Sequence, residues 1–173
     1  GERGDRPTPD VIVVEEVENV GALNDLAARL FADDATLVYT GHLLEGNDIG
    51  GIDTGFLVRD TVNVTAPVTQ VGKNSTLSLD GSLLNDRPPL VLEAEYVANG
   101  VPFAFTAIGI HARSLSGIEG TSAGANQVRQ KRLEQALEIA NYIQSRQAGD
   151  PARRIIVSGD FNAFEYSDGF VDV

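Results

Sequence analysis

The chain has 173 residues and a formal net charge of −12, from 13 Lys and Arg against 25 Asp and Glu. This length favours one domain with a substantial core, and 42% hydrophobic with 22% charged residues is ordinary for a globular protein. The lack of cysteine excludes disulfides and thiolate metal sites, and no apolar run approaches the ~18 residues of a membrane helix, so we expect no membrane span.

The acidic balance bears on possible partners. Broad electrostatic binding of nucleic acid depends on Lys and Arg at phosphates, and a pI of about 4.4 argues against it. An enzyme that meets a phosphodiester through a bound cation is not excluded, because the carboxylates of a cation site add negative charge themselves. Only Lys73 and Lys131 are lysines. The arginines therefore reflect genome composition, or a few of them make bidentate phosphate contacts.

The first third of the chain predicts two strands around one helix. Polar Gly1 to Pro9 predicts a loop or frayed end. The apolar run from Asp10 to Glu15 predicts a buried strand, and Thr36 to Thr40 another. Between them, with Asn19 or a neighbour as cap, a helix is predicted from about Gly21 to Ala32. Its apolar residues recur at three- and four-residue spacing: Leu23, Leu26, Ala27, Leu30 and Phe31.

Strands dominate the middle of the chain, after a Gly-, Asn- and Asp-rich loop from His42 to Gly51. Asn99-Gly100 is a strong two-residue hairpin signal between two of these strands. The predicted strands are Ile52 to Arg59, Val62 to Thr69, Pro89 to Val97 and Val101 to Ile110.

The last third predicts a loop, a helix and a strand. Ser114 to Asn126 is rich in Ser and Gly and predicts a mobile loop, whereas Gln127 to Gln147 has an apolar stripe at helical period. Arg154 to Ser158 predicts a strand that ends at Gly159-Asp160. Alternating strands and helices together with a hairpin favour an α/β protein with mixed sheets.

Polar residues that suit catalysis follow three of the predicted strands. They are Glu15-Glu16 after the first strand, His111 after the hairpin's second strand, and Asp160-Phe161-Asn162 after the last. Strand ends bring polar groups to a common rim. Each signal alone has a structural alternative: a solvated carboxylate pair, a structural histidine, or an ordinary Gly-Asp-x-Asn turn.

The order and context of these segments resemble the endonuclease/exonuclease/phosphatase superfamily, which includes pancreatic deoxyribonuclease. Asp10 to Val17 resembles its "D-[IV]-[IV]-x-[IL]-Q-E-V" strand, with Glu16 on the metal-binding glutamate and Glu15 in place of glutamine. The other matching segments are Gly55 to Arg59 ("G-[LI]-[LI]-Y-R"), Arg87 to Leu90 ("R-P-P-L"), Ile110 to Ser114 ("N-H-L-K-S") and Ile155 to Ala163 ("[IV]-[IV]-x-G-D-F-N-A").

The resemblance implies a two-sheet mixed β-sandwich flanked by helices, in four layers α/β/β/α. Residues 1–173 would form the central part of a single domain of this kind, because the family's first strand, with "F-N-[VI]", and its last, with "S-D-H", have no counterpart here. We therefore expect completing segments in a longer parent chain. The general base lies on the "S-D-H" strand, so the fragment alone is expected to be inactive.

The resemblance also implies a role for each candidate residue. Glu16 would bind Mg²⁺, or Mn²⁺ or Ca²⁺, Asp160 would orient or activate the attacking water, and Asn162 would donate to a phosphate oxygen. His111, as imidazolium, would stabilise the pentacovalent transition state. Two other positions carry alternatives: Arg87 holds a flanking phosphate or merely pairs with Asp86 or a neighbouring carboxylate, and Glu15 adds charge at the cation or points to the other face of its strand. Asp53 would support His111 from behind, without touching the substrate.

The function implied is metal-dependent phosphodiester hydrolysis. Glu18-Asn19, the Arg59 strand and the Arg-Ser after His111 most resemble bacterial extracellular nucleases. We therefore expect a secreted enzyme, extracellular or periplasmic, that acts on DNA or RNA. The alternatives are a hydrolase of another phosphoester, such as a phospholipid headgroup or nucleotide, and a non-catalytic binding or assembly protein of the same fold.

Overall fold

The computed structural model describes residues 8–163, and within them eight strands and two helices follow one another along the chain. Ser122 caps the second helix by accepting from the Ala125 amide, and Asn19 caps the first by accepting from the Ala22 amide. The elements are β1 (Val11–Val17), α1 (Val20–Asp33), β2 (Tyr39–Leu43), β3 (Asp53–Arg59), β4 (Val62–Val64), β5 (Thr69–Gln70), β6 (Leu90–Ala98), β7 (Val101–His111), α2 (Ala123–Gly149) and β8 (Ile155–Asp160).

The strands form two sheets. The smaller sheet has the order β1-β3-β2 and is antiparallel throughout. The larger has the order β4-β6-β7-β8, with β5 also paired to β6, and only its β7–β8 pair is parallel. The parallel pair matters for the site, because it brings the carboxyl ends of two strands to the same edge.

Three apolar clusters separate four layers. The middle cluster joins the inner faces of the two sheets through Phe56, Val58, Leu90, Leu92 and Ala107. The second lies between α1 and the smaller sheet and includes Leu23, Ala27 and Leu57. The third lies between α2 and the larger sheet and includes Val91, Ile108, Ile110, Ile139 and Ile143. The layers are therefore α1, smaller sheet, larger sheet and α2, which confirms the predicted α/β/β/α class.

Strand alternation explains how one strand serves two clusters. In β3, Phe56 and Val58 face the middle cluster, while Leu57 between them faces α1. The run is apolar on both faces because both faces are covered, as expected for an inner strand. In β8 only one face is covered in the described part of the chain: Val157 packs towards α2, and Ile156 is 51% exposed.

Several element boundaries differ from the predictions. The loop predicted from His42 begins later, because His42 pairs with Phe56 inside β2. The predicted strand from Val62 to Thr69 is divided into β4 and β5. Helix α2 begins at Ala123, earlier than predicted, because the Ser122 cap lies within the Ser- and Gly-rich stretch.

The predicted turn at Asn99-Gly100 is confirmed. Both residues have positive φ, 52° and 77°, as a type I′ hairpin turn requires. Most of the loop predicted from Gly1 to Pro9 lies outside the described residues. Neither helix in the described range is long and apolar enough to cross a membrane.

Candidate active site at the strand ends

Three strands deliver polar side chains to one edge of the sandwich. Glu16 lies near the end of β1, while His111 and Asp160 are register partners at the ends of β7 and β8. His111 Nε2 lies 3.9 Å from Glu16 Oε1 and 3.9 Å from Asp160 Oδ2. The structure therefore brings together three residues that are far apart in sequence, as predicted. We call these three residues, with Asn162, the site rim.

Unusual backbone conformations orient the side chains of the rim residues. Glu16 has a φ of 58°, in a left-handed region that costs a non-glycine residue of order 1–3 kcal/mol, and the β1–β3 register shifts between Val14 and Val17. Such a bulge bends a strand and redirects its side chains. On β8, Gly159 has a φ of 136°, and a Cβ there would lie 2.0 Å from the Ile110 carbonyl oxygen. Only glycine allows β8 to approach β7 this closely beside Asp160.

Glu15 connects the two sheets at the rim. Its Oε1 accepts a 2.8 Å hydrogen bond from the Asp160 amide. The carboxylate therefore lies on the side of the site, which decides between the two alternatives that the sequence left open. Glu15 holds the end of β8 against the end of β1 and adds negative charge beside Glu16.

Asn162 is held by the strand ends around it. Its amide donates to Asp160 Oδ1 at 2.7 Å, its side-chain Nδ2 donates to the Ala112 carbonyl at 2.9 Å, and its φ is 49°. A side-chain amide has two N–H groups, so Asn162 has a second N–H besides the one that donates to Ala112.

The electrostatics of His111 are set by opposing effects. Its side chain is only 5% exposed, and burial is the main cause that lowers the pKa of the imidazole, followed by the nearby Arg87 guanidinium. Asp160, Glu15 and Glu16 act in the opposite direction without outweighing them. This direction favours neutral imidazole rather than the imidazolium expected from the sequence. A neutral ring still donates one N–H.

The predicted contacts of two further candidate residues, Arg87 and Asp53, can be compared with the structure. Both carboxylate oxygens of Asp86 accept from Lys131 Nζ, at 2.8 and 3.0 Å, so Arg87 does not serve as the partner of Asp86. Arg87 lines a small cavity with His111 and forms no ion pair with a carboxylate of residues 8–163. The predicted contact between Asp53 and His111 is not made: Asp53 Oδ1 accepts from the Gly46 amide, and His111 Nδ1 has no hydrogen-bond partner among the described residues.

The donor set at the rim suits a hard divalent cation. Mg²⁺ typically takes one or two protein carboxylates and fills its remaining positions with water and substrate phosphate oxygens. The Glu16 side chain is 67% exposed, and the Asp160 side chain 48%. No group of three or more His, Asp or Glu side chains within residues 8–163 is placed to hold a metal ion. The two exposed rim carboxylates therefore fit only an open site of the magnesium type, completed by water and substrate oxygens, and not a closed structural site.

Sequence reasoning missed the polar residues of α2 that hold the loops behind the rim. Gln135 accepts from the Arg113 amide at 2.9 Å and donates to the Leu84 carbonyl at 2.9 Å. Arg132, buried to 4% exposure, donates to the Arg113 carbonyl. The available signal was their spacing: these two residues lie four and seven positions after the buried Val128, on the inward face of the helix.

Comparison with known proteins gave structural relatives only. No protein-family profile and no curated sequence matches the chain. Among solved structures, the human Nocturnin catalytic domain with bound sulfate has a TM-score of 0.59 and 17% identity over 94% of this chain and 54% of its own. An endonuclease/exonuclease/phosphatase family protein from Bacteroides thetaiotaomicron has 0.59 and 14% over 93% and 51%. Truncated Caenorhabditis elegans TDP2 has 0.55 and 16% over 95% and 53%.

These likenesses establish the fold. The chain shares the four-layer α/β/β/α fold of these structures, and the predicted fold is confirmed. It spans about half the length of each of these three structures.

Proposed function

We propose that the gene product hydrolyses phosphodiesters with the help of a divalent cation, as an extracellular or periplasmic nuclease acting on DNA or RNA. The observation that carries the proposal is the site rim, where one imidazole nitrogen lies 3.9 Å from each of two exposed carboxylates. Secretion rests on the resemblance to bacterial extracellular nucleases. The superfamily fold is consistent with this chemistry and does not by itself assign it.

The chain's own residues suit the demands of phosphodiester attack. The anionic oxygens of a phosphodiester repel a nucleophile, so the site must neutralise charge, position water and stabilise the leaving oxygen. Asp160 accepts a hydrogen bond from the attacking water and orients it. Asn162 and His111 donate to phosphate oxygens, and Arg87 contributes positive charge from the adjoining cavity wall.

Glu16 is the residue that would hold the cation, together with water and the substrate. Its exposed carboxylate is a hard oxygen ligand, and the ion supplies Lewis-acid stabilisation of phosphate charge when bound. Glu15 supports this arrangement indirectly, because its bond to the Asp160 amide keeps the ends of β1 and β8 together.

We also propose that residues 1–173 work as the central part of a longer single domain. Among the strands of residues 8–163, β1 and β8 are outermost in their sheets, and Ile156 on β8 is 51% exposed. Additional strands would cover these edges and supply the missing general base. The chain alone would then be inactive.

The proposal is tested on the purified complete gene product. Plasmid DNA, RNA and bis(p-nitrophenyl) phosphate are incubated with Mg²⁺ or Mn²⁺, with and without a chelator, and residues 1–173 alone are assayed in parallel. We expect cleavage by the complete product that stops on chelation, with no cleavage by the 173-residue chain. Hydrolysis that resists the chelator, or no hydrolysis of any of the three substrates, contradicts the proposal.

A further inference from the structure

Two strands that face each other behind the site rim each carry a buried polar atom without a hydrogen-bond partner among the described residues. These atoms are His111 Nδ1 on β7 and Thr54 Oγ1 on β3. Both residues lie in the interior, at 6% and 3% exposure. A buried polar atom without a partner is costly, because it has given up its hydrogen bonds to water and gained none in return. The packing of the two sheets does not by itself explain why both atoms are retained.

The two side chains project into the same space between the sheets. Side chains alternate along a strand, so Thr54 shares a face of β3 with Phe56, and His111 shares a face of β7 with Ala107. Both faces contribute to the middle apolar cluster. The strands approach closely there, since a Cβ on Gly109 would lie 2.8 Å from Thr54 Cγ2. Gly109 is two residues before His111 on the same face, so Thr54 packs one side-chain position away from the imidazole.

The chemistry of the two unpartnered atoms is complementary. A neutral imidazole has one N–H donor and one acceptor nitrogen. His111 Nε2 lies 3.9 Å from a carboxylate oxygen of Glu16 and 3.9 Å from one of Asp160, and carboxylates only accept. The imidazole proton is therefore favoured on Nε2, and Nδ1 is left as an acceptor in need of a donor. A threonine hydroxyl supplies such a donor without adding charge to the apolar interior.

A change of one rotamer brings the hydroxyl to the side of β7. The Thr54 methyl group is the atom that now lies against Gly109. Methyl and hydroxyl groups are of similar size, and rotation between staggered rotamers exchanges their positions without moving the backbone. Arg87 Nε is a second buried atom near the ring without a partner among the described residues. Arg87 is therefore included in the test as the competing donor.

We propose that the Thr54 hydroxyl donates to His111 Nδ1 and thereby holds the imidazole as the tautomer whose Nε2–H is directed at the site rim. This inference rests on the proposed function, in which His111 donates to a phosphate oxygen, and adds a residue that prepares it for that role. Thr54 is a positioning residue, because it acts through His111 and does not touch the substrate.

Nitrogen-15 NMR of the complete gene product, labelled at histidine, reports the tautomer directly. Spectra are recorded well above the ordinary histidine pKa of about 6.5, and the His111 signals are assigned by their loss in His111→Ala. We expect an unprotonated Nδ1 and a protonated Nε2 in the parent protein and in Thr54→Ser, which keeps the hydroxyl. In Thr54→Val, which keeps the shape and removes the hydroxyl, the Nδ1 signal should shift towards that of a protonated nitrogen. A protonated Nδ1 in the parent protein, or a shift in Arg87→Gln and not in Thr54→Val, overturns the inference.

Urea denaturation gives a second readout, in which the two possibilities have opposite signs. An unpaired buried hydroxyl destabilises the fold, so its replacement in Thr54→Val would raise the urea midpoint. A hydroxyl bonded to His111 gives the reverse, because the valine leaves Nδ1 without a donor. We expect a lower midpoint for Thr54→Val, and no such loss when the same substitution is made in His111→Ala. Thr40→Val, at an exposed threonine of β2, is the matched control and should leave the midpoint unchanged. A midpoint for Thr54→Val equal to or above that of the parent protein overturns the pairing.

Hydrolysis separates this inference from the proposed function. In Thr54→Val, kcat for plasmid DNA should fall roughly tenfold, the rate equivalent of one hydrogen bond, with KM little changed and with recovery in Thr54→Ser. The expected tautomer and midpoint without any hydrolysis by the parent protein support the role of Thr54 and contradict the proposed function. Intact hydrolysis, with the tautomer unchanged in Thr54→Val, overturns the role of Thr54 and leaves the proposed function in place.

Discussion

Carboxylates have different roles in two regions of this molecule. At the site rim, Glu16 and Asp160 have exposed oxygens, and the His111 nitrogen between them is 3.9 Å from each. On the other side of α2, Glu134 and Glu138 accept from the segment before β6. We call this second region the loop clamp; its bonds join Ser75, Ser78, Asn85, Glu134 and Glu138.

The difference separates groups that stabilise the fold from groups available for chemistry. A carboxylate saturated with protein donors contributes to folding and has little left for a ligand. A carboxylate whose oxygens lack protein donors, on a strained backbone, keeps an uncompensated negative charge until a cation or substrate binds. Glu16, with a φ of 58° and an exposed carboxylate, meets both conditions. The contrast predicts that rim substitutions affect activity more than stability, and that clamp substitutions do the reverse.

The largest effect is expected at Glu16, the proposed cation ligand. Glu16→Gln keeps the shape of the side chain and removes its charge, so it should weaken divalent-ion binding and lower kcat/KM for DNA by about 10³-fold or more, the several kcal/mol that metal-ion catalysis supplies. Titrating Mg²⁺ against activity in the complete gene product measures both changes. Glu18→Gln, at an exposed glutamate two residues later, is the matched control. Equal activity of the two variants would remove Glu16 from the mechanism.

The next effect concerns the imidazole of the rim. His111→Ala should remove one donor to transition-state charge and cost about 10²–10³ in kcat, as loss of a single oxyanion donor does. His42→Ala, at the chain's only other histidine, should leave kcat unchanged because His42 lies in β2, a strand that contributes no rim residue. A kcat for His111→Ala within twofold of the parent value would make His111 a structural residue, the alternative raised by its burial.

The rim also depends on the close approach of β7 and β8. Gly159→Ala should destabilise the protein by about 1–3 kcal/mol from the backbone conformation alone, with further cost because the new Cβ meets the Ile110 carbonyl at 2.0 Å. Urea denaturation measures the loss of unfolding free energy. Gly149→Ala at the end of α2 is the control, since a Cβ there meets nothing within 4 Å. Similar stabilities for both variants would show that β8 relaxes without cost.

The sequence predicted those parts of the molecule that depend on local pattern. Apolar runs indicated β1, β3, β6 and β7, and Asn99-Gly100 predicted the hairpin turn because both residues tolerate positive φ. The polar residues at strand ends predicted the rim, since their placement follows from where the strands stop.

Features set by distant contacts were not predictable in this way. Asp53 does not contact His111, because a loop places the Gly46 amide where it donates to the Asp53 carboxylate. The lowered pKa of His111 depended on burial by the assembled sheets and on Arg87. The loop clamp and the ion pair between Lys131 and Asp86 depend on residues of α2 that meet a segment about fifty positions earlier, and no periodicity encodes such a pairing.

Substitutions in the loop clamp should lower stability rather than activity, the reverse of what is expected at the site rim. Glu138 accepts from Ser75 Oγ and from Asn85 Nδ2, so Glu138→Gln turns one acceptor into a donor that faces other donors. Breaking a charge-assisted pair in a partly buried place should cost about 1–3 kcal/mol of unfolding free energy. Urea denaturation is the measurement, with Glu119→Gln in an exposed loop as control. A loss confined to activity, with stability unchanged, would contradict the division between rim and clamp.

The smallest expected effect is the pH dependence of stability that comes from His42. Burial lowers the pKa of His42, with no charged neighbour contributing, so the folded state binds its proton less readily than the unfolded state does. Stability from this group is therefore fully present above the ordinary histidine pKa, about 6.5, and is lost as pH falls from there through the lowered folded value. His42→Gln should remove that part of the decline in unfolding free energy measured by urea titration between pH 7.5 and pH 5. Part of the decline should remain, because burial also lowers the pKa of His111, where the rim carboxylates oppose it. A pH profile identical to that of the parent protein would show that His42 takes up its proton as readily in the folded state as in the unfolded one.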